Sequence, residues 1–185
     1  MPDDNSLDLD SVRAEYEHFP TAFESVLMAT CDADGLPDAS YAAYIHHDSY
    51  YYVYVSELAR HTQNLKQTGK ACVLFIENER DAGHPFARQR VTLDCGAAEV
   101  ERDSTEFNDI LDRFHARFGK LVETLRNLRD FHLFRIVPRQ GVFVKGFARA
   151  FLISDPSAPQ VSHMRDRGHR AMDAATEQAM NETAT

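Results

Sequence analysis

The chain has no CxxC pair, no GxGxxG after an alternating apolar segment, and no internal repeat. No apolar run approaches the roughly 20 residues that a membrane helix needs. Basic residues are scarce, 20 Lys and Arg against 29 Asp and Glu, for a net charge of −9. Each absence removes a class of protein. Without GxGxxG no nucleotide-binding reductase segment is present. A nucleic-acid partner needs clustered cations to neutralise phosphates, and these are missing. The opening, with Asp3, Asp4, Asp8 and Asp10, has the wrong sign for a secretory n-region, so cytoplasm is the expected compartment. The three cysteines, Cys31, Cys72 and Cys95, form an odd set lying in or beside strand-like apolar segments. Buried free thiols fit that placement better than zinc ligands or a disulfide framework.

What is present suits one soluble domain. The chain has 185 residues, 43% of them hydrophobic, enough for a substantial core. Residues 1–9 read as disordered. Asp10 or Ser11 could cap a helix bearing Val12, Tyr16 and Phe19, interrupted at Pro20. Strands are expected over 26–31, 39–45, 50–55, 71–76, 88–100, 131–137 and 142–153, with turns at Asp32–Gly35, His46–Ser49 and Pro138–Gly141. Gly96 marks a bulge site and Gly146 a bend. The clearest helix runs from Asp103 to about Leu128, its apolar positions (Phe107, Ile110, Leu111, Phe114, Phe118, Leu121, Val122, Leu125, Leu128) stepping by threes and fours. Asp103 with Glu106 resembles a capping box. Hairpin-linked strands outnumber helices, so the fold expected is mainly β (α+β): an antiparallel barrel over residues 10–154 with flanking helices. From Asp155 to 185 the chain turns polar and reads as a flexible arm.

The stretch Tyr52–Leu65 (YVYVSELARHTQNL) organises the rest. Val53 and Val55 alternate with Tyr52 and Tyr54 as in a strand, and a short helix follows at once. Ser56 could cap that helix, whose N-terminus attracts anions, with Arg60 and His61 adding charge nearby. Arg88 and Arg90, two apart on one strand, would share a face. An anionic planar ligand suits this set; a capped helix with solvated cations, paired to surface carboxylates, is the plainer alternative.

Four motifs in matching order, Ser56–Leu65 (SELARHTQNL), Phe86–Val91 (FARQRV), Leu128–Phe131 (LRDF) with Phe134-Arg135, and Gly146-Phe147, resemble the haem-utilisation proteins of bacterial iron acquisition. These belong to the pyridoxamine-phosphate-oxidase-like, FMN-binding split-barrel superfamily. The resemblance spans roughly Asp10 to Ile153, and the tail matches only through Gly168-His169-Arg170. It implies a split-barrel homodimer with cofactor sites at the subunit seam. It also implies haem binding and opening of the porphyrin with oxygen or peroxide, using electrons from an external donor. FMN is the alternative cofactor, with a pyridoxamine-phosphate-oxidase-like oxidoreductase as the alternative activity, and a non-catalytic haem or flavin carrier is a third reading.

By that resemblance His169 is the axial ligand to haem iron, with His163 its nearest competitor, and Asp130 the carboxylate that orients the ligand's second nitrogen. Ser56, Arg60, His61, Arg88 and Arg90 would meet the cofactor's anionic groups, propionates of haem or the phosphate of FMN. With no CxxCH, haem attachment would be non-covalent. The tyrosines at 41, 44, 50, 51, 52 and 54 read as packing, and His115 and His132 as structural or exposed.

Overall fold

The computed structural model describes residues 8–147 and 149–164. Its elements run α1 (Leu9–His18), a 3-10 turn (Phe19–Ala22), β1 (Ser25–Cys31), β2 (Pro37–His47), β3 (Tyr50–Ser56), α2 (Arg60–Thr68), β4 (Lys70–Ile76), a 3-10 turn (Pro85–Ala87) and β5 (Arg90–Glu99). Then come α3 (Thr105–Phe118), α4 (Leu121–Arg126), β6 (Phe131–Gly146), β7 (Arg149–Ser154) and β8 (Gln160–His163).

All strand pairs are antiparallel, in the order β3-β2-β1-β4-β5-β6-β7-β8. An additional β3–β6 pairing closes six of them into a barrel, and β7 and β8 extend from the second half of β6. The two-residue alternation of β3 explains its place in the closure. Tyr51, Val53 and Val55 point into the barrel core, whereas Tyr52 packs, with Tyr50 and Tyr54 at its edge, in a second core under α3 and α4. That second core is the apolar stripe of α3, in which Phe107, Ile110, Leu111 and Phe114 are all buried. Each such side chain contributes about 1.5–3 kcal/mol of burial. Among the described residues no helix is long and apolar enough to cross a membrane.

Several local expectations change. Asp8, rather than Asp10 or Ser11, caps α1, its Oδ1 accepting from the N–H groups of Asp10 (3.1 Å) and Ser11 (3.2 Å). The single helix expected from Asp103 is two helices, because Gly119 at φ 77° ends α3 in a backbone conformation that L side chains avoid. Ser104 is its cap, accepting from Phe107 N at 3.1 Å. Glu106 instead accepts from Tyr52 OH (2.9 Å) and Arg135 (3.1 Å).

The turn expected at Pro138–Gly141 is absent, and β6 runs straight through it for 16 residues. Pro138 is tolerated since it faces Cys95 where the β5–β6 register shifts, so its missing N–H falls at the irregularity. That shift lies beside Gly96, the expected bulge. Gly141 is needed for close approach, because a Cβ there would collide with Leu93 Cδ2 and lie 2.6 Å from Thr92 O. The chain reverses after Gly146, as expected of a bend, into β7. The expected arm opens with a strand, β8, whose Gln160–His163 pair with β7. Residues 1–7 and 165–185 lie outside the described residues.

Candidate functional site

The end of β3, the turn into α2, and the loop from α4 to β6 meet at one corner of the barrel. Ser56 does not cap α2. The helix begins at Arg60 with Ala59 at the N-cap and no side-chain cap bond. The Ser56 hydroxyl is engaged earlier, accepting from Leu58 N (3.3 Å) and donating to Asp130 Oδ2 (3.5 Å). Polar side chains fasten α2 instead: Thr62 Oγ1 donates to Ser56 O (2.6 Å), Gln63 Nε2 to Glu57 O (3.1 Å), and buried Asn64 Nδ2 to buried Thr30 Oγ1 (3.0 Å). Gly69, at φ 61°, closes the helix.

These fastenings present two side chains. Arg60 is 67% exposed and meets Asp38 only loosely, at 3.7 Å, so its guanidinium is available to an anion. His61 does not add the positive charge expected of it. Burial lowers its pKa, a nearby Asp38 opposing only in part, so the imidazole is neutral at pH 7.

Asp130 lies one residue before β6. Its main-chain carbonyl accepts from Glu57 N at 2.7 Å, which ties its loop to the turn after β3. Its carboxylate has, among the described residues, only the long bond from Ser56. Beside it is a network invisible in local spacing. His132 Nδ1 lies 2.7 Å from Glu99, Lys66 Nζ is 3.1 Å from His132 Nε2, and Glu57 is 3.5 Å from Lys66. Glu57 also lies 3.8 Å from His132 Nε2, so the imidazole sits among two carboxylates and an ammonium. The network's members come from four separate segments, so no motif announces them. Arg102 is a second residue missed: it donates to the carbonyls of Arg126, Leu128 and Phe131.

Arg88 and Arg90 are not at this corner. Arg88 precedes β5 rather than sharing a strand face with Arg90, and its guanidinium is occupied by Glu77 O and by Glu79 at 3.1 Å. Arg90 pairs with Ile76 and Val144, at the end of β5 away from Glu99, which pairs with Phe134. Nine residues of strand separate the two ends by roughly 30 Å. His163 belongs to the far end too: it pairs with Phe151 and sets its ring edge-on against it, 5.0 Å away. His169 lies outside the described residues. One subunit therefore joins Ser56 to Asp130, sets Arg60 and His61 beside Asp38 at the start of α2, and leaves Arg88, Arg90 and His163 elsewhere.

The remaining groups are structural. His115 faces Glu123 at 3.1 Å. Tyr52 is pushed up to about 12 by burial and its bond to Glu106, so it stays protonated. Cys95 is buried, with its thiol pushed up to about 12 by desolvation, whereas Cys31 and Cys72 are only half-buried, short of the burial expected for all three. Among the described residues no group of three or more His, Cys, Asp or Glu could hold a bare metal ion.

Comparison with known proteins gives a consistent set. The family model described as pyridoxamine 5'-phosphate oxidase matches residues 12–145. The protein named heme oxygenase HutZ, from Vibrio cholerae serotype O1, is 38% identical over 156 residues, covering 84% of this chain and 88% of its own. A crystal structure of HutZ, described as the heme storage protein from Vibrio cholerae, superposes with a TM-score of 0.68 at 40% identity, over 72% of this chain and 94% of that one. The crystal structure of Campylobacter jejuni ChuZ has a TM-score of 0.79 at 29% identity, over 90% of this chain and 68% of the other.

Proposed function

Because this chain belongs to the pyridoxamine 5'-phosphate oxidase family, we propose that it binds haem at the Ser56–Asp130 corner and degrades it as a haem oxygenase-type oxidoreductase. The single observation that carries the choice within the family is the 38% identity, over most of both chains, to a relative named a heme oxygenase.

The corner fits haem. Haem carries two propionates, a broad apolar plane, and an iron that takes a neutral imidazole. Arg60 offers an exposed guanidinium for a propionate. The Asp130 carboxylate, only loosely bonded, suits the second N–H of an imidazole ligand, fixing its tautomer and raising its basicity. Such a carboxylate is a poor neighbour for the phosphate of FMN, whose charge it would repel. When bound, haem supplies the iron and the ring on which oxygen chemistry occurs. The protein's share is to anchor the propionates, orient the ligand and limit water. Electrons come from an external donor.

The ligand, His169, arrives from a second copy of the chain. Arm residues leave from β8, at the end of the barrel away from Asp130, so a homodimer with a shared seam is the economical way to bring the two together. Leu27 (45% exposed) and Tyr41 (70%) pair directly on the outer face of β1 and β2 and give that second copy an apolar surface to cover.

A second reading, a haem carrier, is favoured by the description of HutZ as a heme storage protein. Adding haem to the purified full chain tests both, since a Soret band supports haem binding and flavin absorption as isolated supports FMN. Ascorbate then separates enzyme from carrier. Decay of the Soret band with new product absorption is the enzyme's outcome; a persistent band belongs to the carrier.

A further inference from the structure

We propose that Arg102 is the positioning residue for Asp130: its guanidinium fastens the carbonyls on either side of that carboxylate and holds it toward the haem ligand. This deepens the proposed function and rests on it for the role of Asp130.

The loop between α4 and β6 has little reason to hold one shape. Helix α4 has only six residues, and its last turn closes through short-range bonds, Asn127 N to Thr124 O and Leu128 N to Leu125 O, which leave the carbonyls of Arg126 and Leu128 to donors from elsewhere. Arg102, between β5 and α3, supplies donors from outside. Nη1 donates to Arg126 O (3.1 Å), and Nη2 to both Leu128 O (2.7 Å) and Phe131 O (2.9 Å). The three carbonyls lie before and after Asp130, so one rigid fork spans the loop that carries it. A cation is also favoured there by the C-terminal end of a helix. The plane of the fork is itself fixed, its Cζ lying 5.2 Å from the ring centroid of Phe107, which is 1% exposed. Tyr54 OH supports the same loop by donating to Leu125 O at 3.1 Å. If Arg102 is removed, the carbonyls of Arg126, Leu128 and Phe131 lose that donor, and Asp130 is held by the Glu57 tie to its main chain, the pairing of Phe131 with Ser56 and the long Ser56 bond.

Lysine carries the charge but no fork, so Arg102→Lys keeps part of the clamp, and Arg102→Met keeps none at similar length. The full chain is compared as wild type, R102M, R102K, D130N and R102M/D130N. Three properties are measured: haem affinity by Soret titration, the pH midpoint of the ferric haem spectrum, and amide hydrogen exchange at residues 127–132 without haem. R102M is expected to weaken haem about 10-fold, within the roughly 10–100-fold range of ligand-orienting groups. It should move the pH midpoint in the same direction as D130N, with R102K between it and wild type. The double variant should bind no more weakly than D130N alone, because both act through one group. Exchange at residues 127–132 should quicken in R102M.

A helix-end role alone would leave the pH midpoint where it is, and that result overturns the proposal, as would losses that add in full. Should D130N itself match wild type in haem affinity and spectrum, the assigned role of Asp130 fails. The clamp is then judged on exchange, where quickening supports it and unchanged rates overturn it. If R102M does not fold, R102K decides: wild-type midpoint and exchange rates contradict the proposal, and intermediate values support it.

Discussion

Among the described residues the Asp130 side chain has a single 3.5 Å bond, whereas its carbonyl has a 2.7 Å one, so its carboxylate can be altered without loosening its main-chain tie. Asp130→Asn is therefore expected to weaken haem binding or turnover about 10–100-fold with little change in melting temperature. His169→Ala should lose at least as much, and His163→Ala should stay near wild type because its ring packs on Phe151. Soret titration and thermal melting of the three variants check this. His61 gives a pH signature with a definite sign. Its pKa is lowered on folding, so the unfolded chain takes up its proton first and stability falls as pH drops below about 6.5. Urea midpoints measured between pH about 7.5 and about 5 should show that fall, and His61→Asn should shrink it. At this scale the strand-to-helix junction carrying Ser56, Arg60 and His61 marks itself in sequence, although Ala59 and not Ser56 is the cap, whereas Asp130 came from the family resemblance. The neutral state of His61 and the engagement of Arg88 by Glu77 were not legible, since burial and a main-chain acceptor leave no trace in spacing.

Elements were legible where periodicity is strong, as in β3, whose valines enter the barrel and whose Tyr52 meets α3, and in the stripe of α3. They were misread where one residue outweighs the pattern. Gly119 divides a continuous apolar stripe into α3 and α4, and Pro138 with Gly141 looks like a turn yet sits inside β6. The role of Gly141 makes a test: Gly141→Ala would drive a methyl into Leu93 and the Thr92 carbonyl, and should cost about 1–3 kcal/mol of stability, read from urea denaturation. Substituting Phe114, buried between α3 and the barrel, is a larger lesion; Phe114→Ala should cost about 3–5 kcal/mol. Helix α2 differs from both, because Thr62, Gln63 and Asn64 hold it by hydrogen bonds that an apolar period cannot reveal.

At the scale of the molecule, one closed barrel keeps the Asp130 corner roughly 30 Å along β5 from Arg90 and from the strand that leads into the arm. Two copies joined through the outer face of β1 and β2 would bring these ends together. Tyr41→Asp, placing a charge on that face, is expected to shift the mass seen by light scattering from dimer toward monomer and to weaken haem binding with it. The shared site is tested most directly by counting tight haem sites, by Soret titration, in mixed dimers of D130N with H169A. If Asp130 of one subunit works with His169 of the other, each mixed dimer regains one intact site of two. Mixed dimers with no tight site would contradict the account.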